Sequence, residues 1–144
     1  PLELADAYHE MEARSKEFGE GAHVYLSRHI QHGVEFAVGG SIREGAPVLM
    51  TGPGGALLEH TAHSFTLCPV SMNEALELIE EGIEGRLLSD MDRGELLVSR
   101  FAQLLVGVSR LMMEEEIAGL DLNPVRVSPE GIFPVDVKVQ RSVD

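Results

Sequence analysis

Tryptophan is absent and cysteine occurs once, at Cys68, so no disulfide can form within the chain and a disulfide-stapled scaffold is excluded. Lysine stands at two positions only, Lys16 and Lys138. With 11 Lys plus Arg against 24 Asp plus Glu the formal charge is −13. A surface of that sign repels nucleic acid and anionic membranes on average, and any phosphate site would need metal or locally placed donors. No apolar run approaches the roughly 20 residues that span a bilayer, and the N-terminus lacks the basic and apolar blocks of a signal peptide. The expectation is a cytoplasmic protein with no membrane and no nucleic-acid partner. The chain opens at Pro1 without a methionine, which leaves methionine removal, an excised domain and a longer polypeptide all open.

What is present is 144 residues, 44% of them hydrophobic, enough for one domain with a real core over residues 1–144. Tyr8, Met11 and Ser15 recur at helical spacing from Asp6 to Phe18, and Gly19-Glu20-Gly21 stops that helix. From Ala22 to Pro69 the text becomes short apolar segments punctuated by glycine: HVYLSRHI, GVEFAVGGSI, APVLMTG, GGALLEHT and SFTLCPV. These read as successive, mostly antiparallel strands. Ser71 to Glu74 spells a capping box and opens a helix to about Glu81. After a loop around EGRLLSDMDRG, the positions Leu97, Phe101, Leu104, Leu105, Val108, Leu111 and Met112 mark a long helix with one buried stripe. Two strands, Ala118 to Val127 and Ile132 to Gln140, close the chain around Ser128-Pro129-Glu130-Gly131, which suits a type I turn. The class is α+β, with helices packed on a largely antiparallel sheet.

That last hairpin carries the chemistry. With Pro129 and Glu130 as turn residues, Asn123 opposes Asp136 and Asp121 opposes Lys138 on one face. Leu122 with Val137 and Leu120 with Val139 then fall on the other, so polarity agrees at every step. A slip of one residue would set Leu122 against Lys138. An amide oxygen, two carboxylates and an ammonium gathered this way suit Mg2+, which takes one or two carboxylates together with water and phosphates. The same pattern also describes a solvated polar face with an ordinary Asp121–Lys138 pair.

Elsewhere, Gly52-Pro53-Gly54-Gly55 has the look of a phosphate loop, yet it lacks a P-loop's lysine and helix and reads equally as a tight turn. Glu35 and Glu59 sit on expected strands, either exposed or functional. None of the six histidines has zinc-site spacing, and Cys68 reads as a small buried hydrophobe.

LDLNPVRV followed by GIFPVDVKV resembles the closing hairpin of the ATP-grasp domain of ADP-forming acyl-CoA synthetases, the acetate–CoA ligase group related to succinyl-CoA synthetase β chains. GVEFAVG, GPGG with Glu59 following, FTLCPVS and Arg93-Gly94 fall in that family's order. The resemblance implies Asn123 and Asp136 as ligands of Mg2+, with Asp121 supporting them. It also implies ATP or ADP held near Glu35, Gly54, Gly55, Glu59 and Asp121. It covers the C-terminal half of an ATP-grasp fold, so the other half and a CoA-binding domain or subunit with its phosphorylated histidine are the implied partners. The implied activity interconverts acyl-CoA, ADP and phosphate with acid, CoA and ATP. Thr66 and Gly119 depart from the family's arginine and glutamate, and a second reading is an ATP-grasp-like structural or regulatory module.

Overall fold

The computed structural model describes residues 2–55 and 63–142. Helix α1 (Leu2–Ser15) continues as a single 3-10 turn, Lys16–Phe18. Strands β1 (Val34–Arg43), β2 (Ala46–Pro53) and β3 (Ser64–Leu67) follow. Then come helices α2 (Met72–Glu81), α3 (Ile83–Ser89) and α4 (Gly94–Leu111), and finally β4 (Ile117–Ser128), β5 (Gly131–Pro134) and β6 (Val137–Arg141). Every strand pair is antiparallel. The order across the sheet is β3-β2-β1-β4-β5, with β6 also on β4.

One face of this sheet is covered. Leu49, Phe36, Val38, Leu120, Leu122, Val125 and Val127 are buried against Ala75 and Ile79 of α2, Leu88 of α3 and the stripe of α4. The stripe is Leu97, Phe101, Leu105, Val108 and Met112, as the three- and four-residue spacing requires. Leu111, expected within it, points away and is exposed. The Phe36 and Phe101 rings pack 5.0 Å apart between centroids, tilted by 47°. Gly40 lets α4 approach, since a Cβ there would lie 2.3 Å from Met112 Cγ.

Three expectations change. HVYLSRHI is an irregular crossing rather than a strand. β1 already has β2 and β4 as neighbours, so no sheet edge is left beside it to pair the segment's backbone. Instead the segment is tied by side chains: Arg28 to Glu130 at 2.8 Å, and Arg126 to the carbonyl of Ile30. The EGRLLSDMDRG loop contains α3, whose Glu84 and Leu88 are buried. The final strand is two, β5 and β6, interrupted at Val135 and Asp136. Most of GGALLEHT lies outside the described residues.

The terminal hairpin has the expected register. Val127 pairs with Ile132, Arg126 with Phe133, Asp121 with Lys138 and Leu120 with Val139. Asn123 N–H donates to the Asp136 carbonyl at 3.2 Å, so these two also face each other.

Candidate functional site

The face of the sheet opposite the helices follows from the registers. Phe65, Met50, Gly39, Asp121 and Lys138 lie in one cross-strand row, each directly paired with the next. Two residues along each strand, Leu67, Val48, Ser41, Gly119 and Gln140 form a second row. Side chains directly opposite, and those two residues apart, share a face. The residues between these rows, Leu49, Gly40 and Leu120, point to the helices. The open face is thus divided. Its β3–β2 half is apolar, with Phe65 58% and Leu67 66% exposed. Its β4–β6 half is polar, and Gly39 and Gly119 leave bare backbone between the halves. A cavity of about 320 Å³ there is lined by Ser41, Gly119, Asp121, Lys138 and Gln140, among others.

A bulge in β4 adds to the polar half. Between the pairs Phe36–Val125 and Val38–Leu122, β1 has one residue, Ala37, and β4 has two, Asn123 and Pro124. Pro124 has no N–H to offer the ladder and so fits where the ladder is broken; the Asn123–Pro124 peptide is cis. The extra residue shifts the burial phase of β4 from Leu120 and Leu122 to Val125 and Val127. It leaves Asn123 beside Asp121 on the open face and opposite Asp136. Lys138 Nζ lies 3.6 Å from Asp136 Oδ2, so the ammonium leans along its own strand to Asp136 and makes no ion pair with its cross-strand partner Asp121.

Glu35, Gly54 and Gly55 form a second group. Glu35 pairs with Arg126 across β1 and β4, and Arg126 Nε and Nη2 both donate to Glu35 Oε1, at 2.9 and 2.6 Å. The Gly54 N–H donates to the Glu35 carbonyl at 2.8 Å, and a Cβ on Gly54 would come within 2.6 Å of the Phe36 carbonyl carbon. Gly55 has φ of 63°, and a Cβ there would meet Glu35 Oε2 at 2.1 Å. Glycine is needed at Gly54 because the loop passes against main chain there, and at Gly55 because of its positive φ. The structure therefore brings Glu35, Gly54 and Gly55 together around an arginine, one strand from the Asp121, Asn123 and Asp136 group. Glu59 lies outside the described residues.

Sequence reasoning passed over Arg126, although it stands inside LDLNPVRV, because its partner is 91 residues away. It also passed over Glu84, which is 1% exposed and accepts a hydrogen bond from the buried Thr51 hydroxyl at 3.0 Å. That contact ties α3 to β2 immediately before the glycine loop. His63 packs on Gly52, and its Nε2 is buried without a hydrogen-bond partner among the described residues. The sequence places His60 and His63 beside the expected nucleotide face, and of the two only His63 lies among the described residues.

Chemically, Asp121, Asn123 and Asp136 offer hard oxygen donors, the kind that suits Mg2+. No cluster of three or more His, Cys, Asp or Glu positioned for a metal occurs among the described residues. A polar half with few protein ligands beside an apolar half matches a ligand that brings its own phosphates and a flat ring. None of the helices among the described residues is long and apolar enough to cross a membrane.

The chain belongs to the ATP-grasp domain family, whose model matches residues 1–140. It is 35% identical over 97 residues to acetate–CoA ligase [ADP-forming] I of Archaeoglobus fulgidus, covering 65% of this chain and 14% of that protein. It is 30% identical over 118 residues to acetate–CoA ligase [ADP-forming] II of the same organism, covering 81% and 18%. Among solved structures, acetyl-coenzyme A synthetase 1 of Ca. Korarchaeum cryptofilum, in complex with coenzyme A, acetyl-coenzyme A and a phosphorylated phosphohistidine segment, matches with a TM-score of 0.80 at 27% identity. That match covers 98% of this chain and 66% of that one. The same synthetase in complex with coenzyme A and Mg-AMPPCP matches with a TM-score of 0.68 at 31% identity, over 78% and 55%. The α+β fold expected from sequence is the fold of these relatives. The chain spans less than a fifth of the curated relatives it matches.

Proposed function

We propose that this chain is the Mg2+- and nucleotide-binding C-terminal part of the ATP-grasp domain of an ADP-forming acid–CoA ligase. In the full reaction, acyl-CoA, ADP and phosphate would be interconverted with acid, CoA and ATP. The observation that carries the reading is the divided open face: Asp121, Asn123 and Asp136 on the polar half, Phe65, Met50 and Leu67 on the apolar half. Asn123 and Asp136 would hold Mg2+, with Asp121 receiving a metal-bound water. Bound there, the metal would offset the charge of the transferring phosphoryl group. Gly55 would approach the phosphates through its backbone N–H, while Gly54 holds the loop on the Glu35 carbonyl and Arg126 holds the Glu35 side chain in place beneath them. Phe65 and Met50 would support the base.

Phosphoryl transfer depends on positioned cations around the phosphates, and this face offers one lysine, Lys138, in a chain of charge −13. The remaining cations, the CoA site and the phosphorylated histidine are assigned to the other ATP-grasp half and a CoA-binding domain or subunit. The second reading, a degenerate interaction module, leans on Thr66 and Gly119, which stand where the family has arginine and glutamate. The two are separated by joining the chain to those missing parts and measuring ATP formed from acyl-CoA, ADP and phosphate. The ligase reading expects formation that falls at least tenfold in Asp136→Asn. Equal activity with and without that substitution would remove Asp136 from the site, and no activity from the assembly favours the module.

A further inference from the structure

Lys138 holds an unusual position for the only lysine outside the N-terminal helical segment. Its Nζ is 3.6 Å from Asp136 Oδ2, and the two side chains are 74% and 55% exposed. Directly across β4 stands Asp121, which has no ion-pair partner among the described residues. The ammonium therefore rests on one of the two groups assigned to the metal, with a second carboxylate within reach of its stem.

We infer that Lys138 is a displaceable counter-cation that makes this position select metal-bound phosphates over free divalent ions. The inference rests on the reading of Asn123 and Asp136 as a Mg2+–nucleotide site. A divalent ion alone must compete with the ammonium for Asp136. Because exposed pairs of this kind are weak, it can win. The displaced ammonium remains tethered on the same face beside Asp121, two strand positions from Asp136, and repels the metal. A phosphate removes that conflict. One of its oxygens can ligate the metal while another accepts from Nζ, so metal and phosphate each favour the other's binding. The substrate class selected is a metal-complexed nucleoside diphosphate or triphosphate rather than the metal or the nucleoside.

Lys138→Met keeps the stem and removes the charge, and two affinities are read on the 144-residue chain. Mn2+ alone, followed by the electron spin resonance of the free ion, should bind about two- to fivefold tighter than to the unaltered chain. ADP at saturating Mg2+, followed by equilibrium dialysis, should bind roughly tenfold weaker. Arg141→Met, which removes a neighbouring exposed cation of the same strand, should leave both within about twofold and so control for net charge. Unchanged affinities in Lys138→Met, or a change of both in the same direction, overturn the selection role. Asp136→Asn is measured alongside. If it weakens ADP binding while Lys138→Met does nothing, only this inference fails; if it too does nothing, the underlying site reading fails with it.

Discussion

Arg126 reaches across from β4 to Glu35 on β1 and donates through both Nε and Nη2 to the same carboxylate oxygen, while its Nη1 donates to the carbonyl of Ile30. One guanidinium thus fixes three segments: the irregular crossing before β1, the end of β1 under the glycine loop, and the bulged strand. The pair is about seven-tenths buried, so it is less screened than a surface bridge. In a double-mutant cycle of Glu35→Gln and Arg126→Gln, chemical denaturation should show a coupling of about 1–2 kcal/mol. A coupling near zero would mean that the crossing and the strands hold their places without it.

The glycines divide into those the fold needs and those it tolerates. A Cβ on Gly54 would meet main-chain atoms of Phe36 at 2.6 Å, which cannot move aside cheaply, whereas one on Gly107 within α4 would meet nothing within 4 Å among the described residues. Gly54→Ala should destabilise by about 1–3 kcal/mol, and Gly107→Ala should stabilise by roughly 0.5–1 kcal/mol through helix propensity. Thermal midpoints of the two variants moving in the same direction would contradict this division.

Helix α2 begins with a complete capping box. The Glu74 N–H donates to Ser71 Oγ at 3.3 Å and the Ser71 N–H donates to Glu74 Oε2 at 2.8 Å. Hydrogen bonds from the Ser71 hydroxyl and then its backbone N–H hold the Glu74 carboxyl below the usual glutamate value. A folded-state value below the unfolded one contributes stability above the ordinary glutamate range, and that contribution is lost as pH falls through the lowered value. Glu74→Gln should therefore be less stable than the unaltered chain at neutral pH, with the difference shrinking on acidification. A difference that grows in acid would contradict the assignment.

Burial pushes the Cys68 thiol up from its ordinary value, which lowers its thiolate fraction at neutral pH. Alkylation by iodoacetamide at pH 8 should be several-fold slower in the folded chain than in urea. Equal rates would place the thiol in open solvent.

How far the residues alone could lead differs by region. The hairpin register was legible because apolar and polar residues alternate on both strands, and a one-residue slip would have set Leu122 against Lys138. The α4 stripe and the Ser71 cap were legible for the same reason, since each is a local pattern with a single geometric solution. The bulge at Asn123 and Pro124 was not, because it appears only between β4 and β1 and leaves the hairpin side in step. HVYLSRHI has the alternation of a strand yet finds no free edge beside β1, a fact settled by β2 and β4 and not by its own residues. Of the site residues, Asp121, Asn123 and Asp136 could be placed on one face in advance. The Arg126 that holds Glu35, the Glu84 that holds Thr51 and the apolar row through Phe65 and Met50 all depend on contacts between distant segments.

The central claim is that the open face binds a nucleotide through Mg2+ at the bulged hairpin. It is tested most directly by titrating ADP, with and without Mg2+, into the isotope-labelled chain and following backbone amide resonances. With Mg2+, shifts are expected at Asp121, Asn123, Asp136, Gly54 and Gly55. None is expected at Glu80, Arg86 or Glu95 on the helical side, and the hairpin shifts should be lost in Asp136→Asn or when Mg2+ is removed. Shifts confined to the helical side, shifts at the hairpin that ignore both Mg2+ and Asp136, or none at millimolar ADP would contradict it.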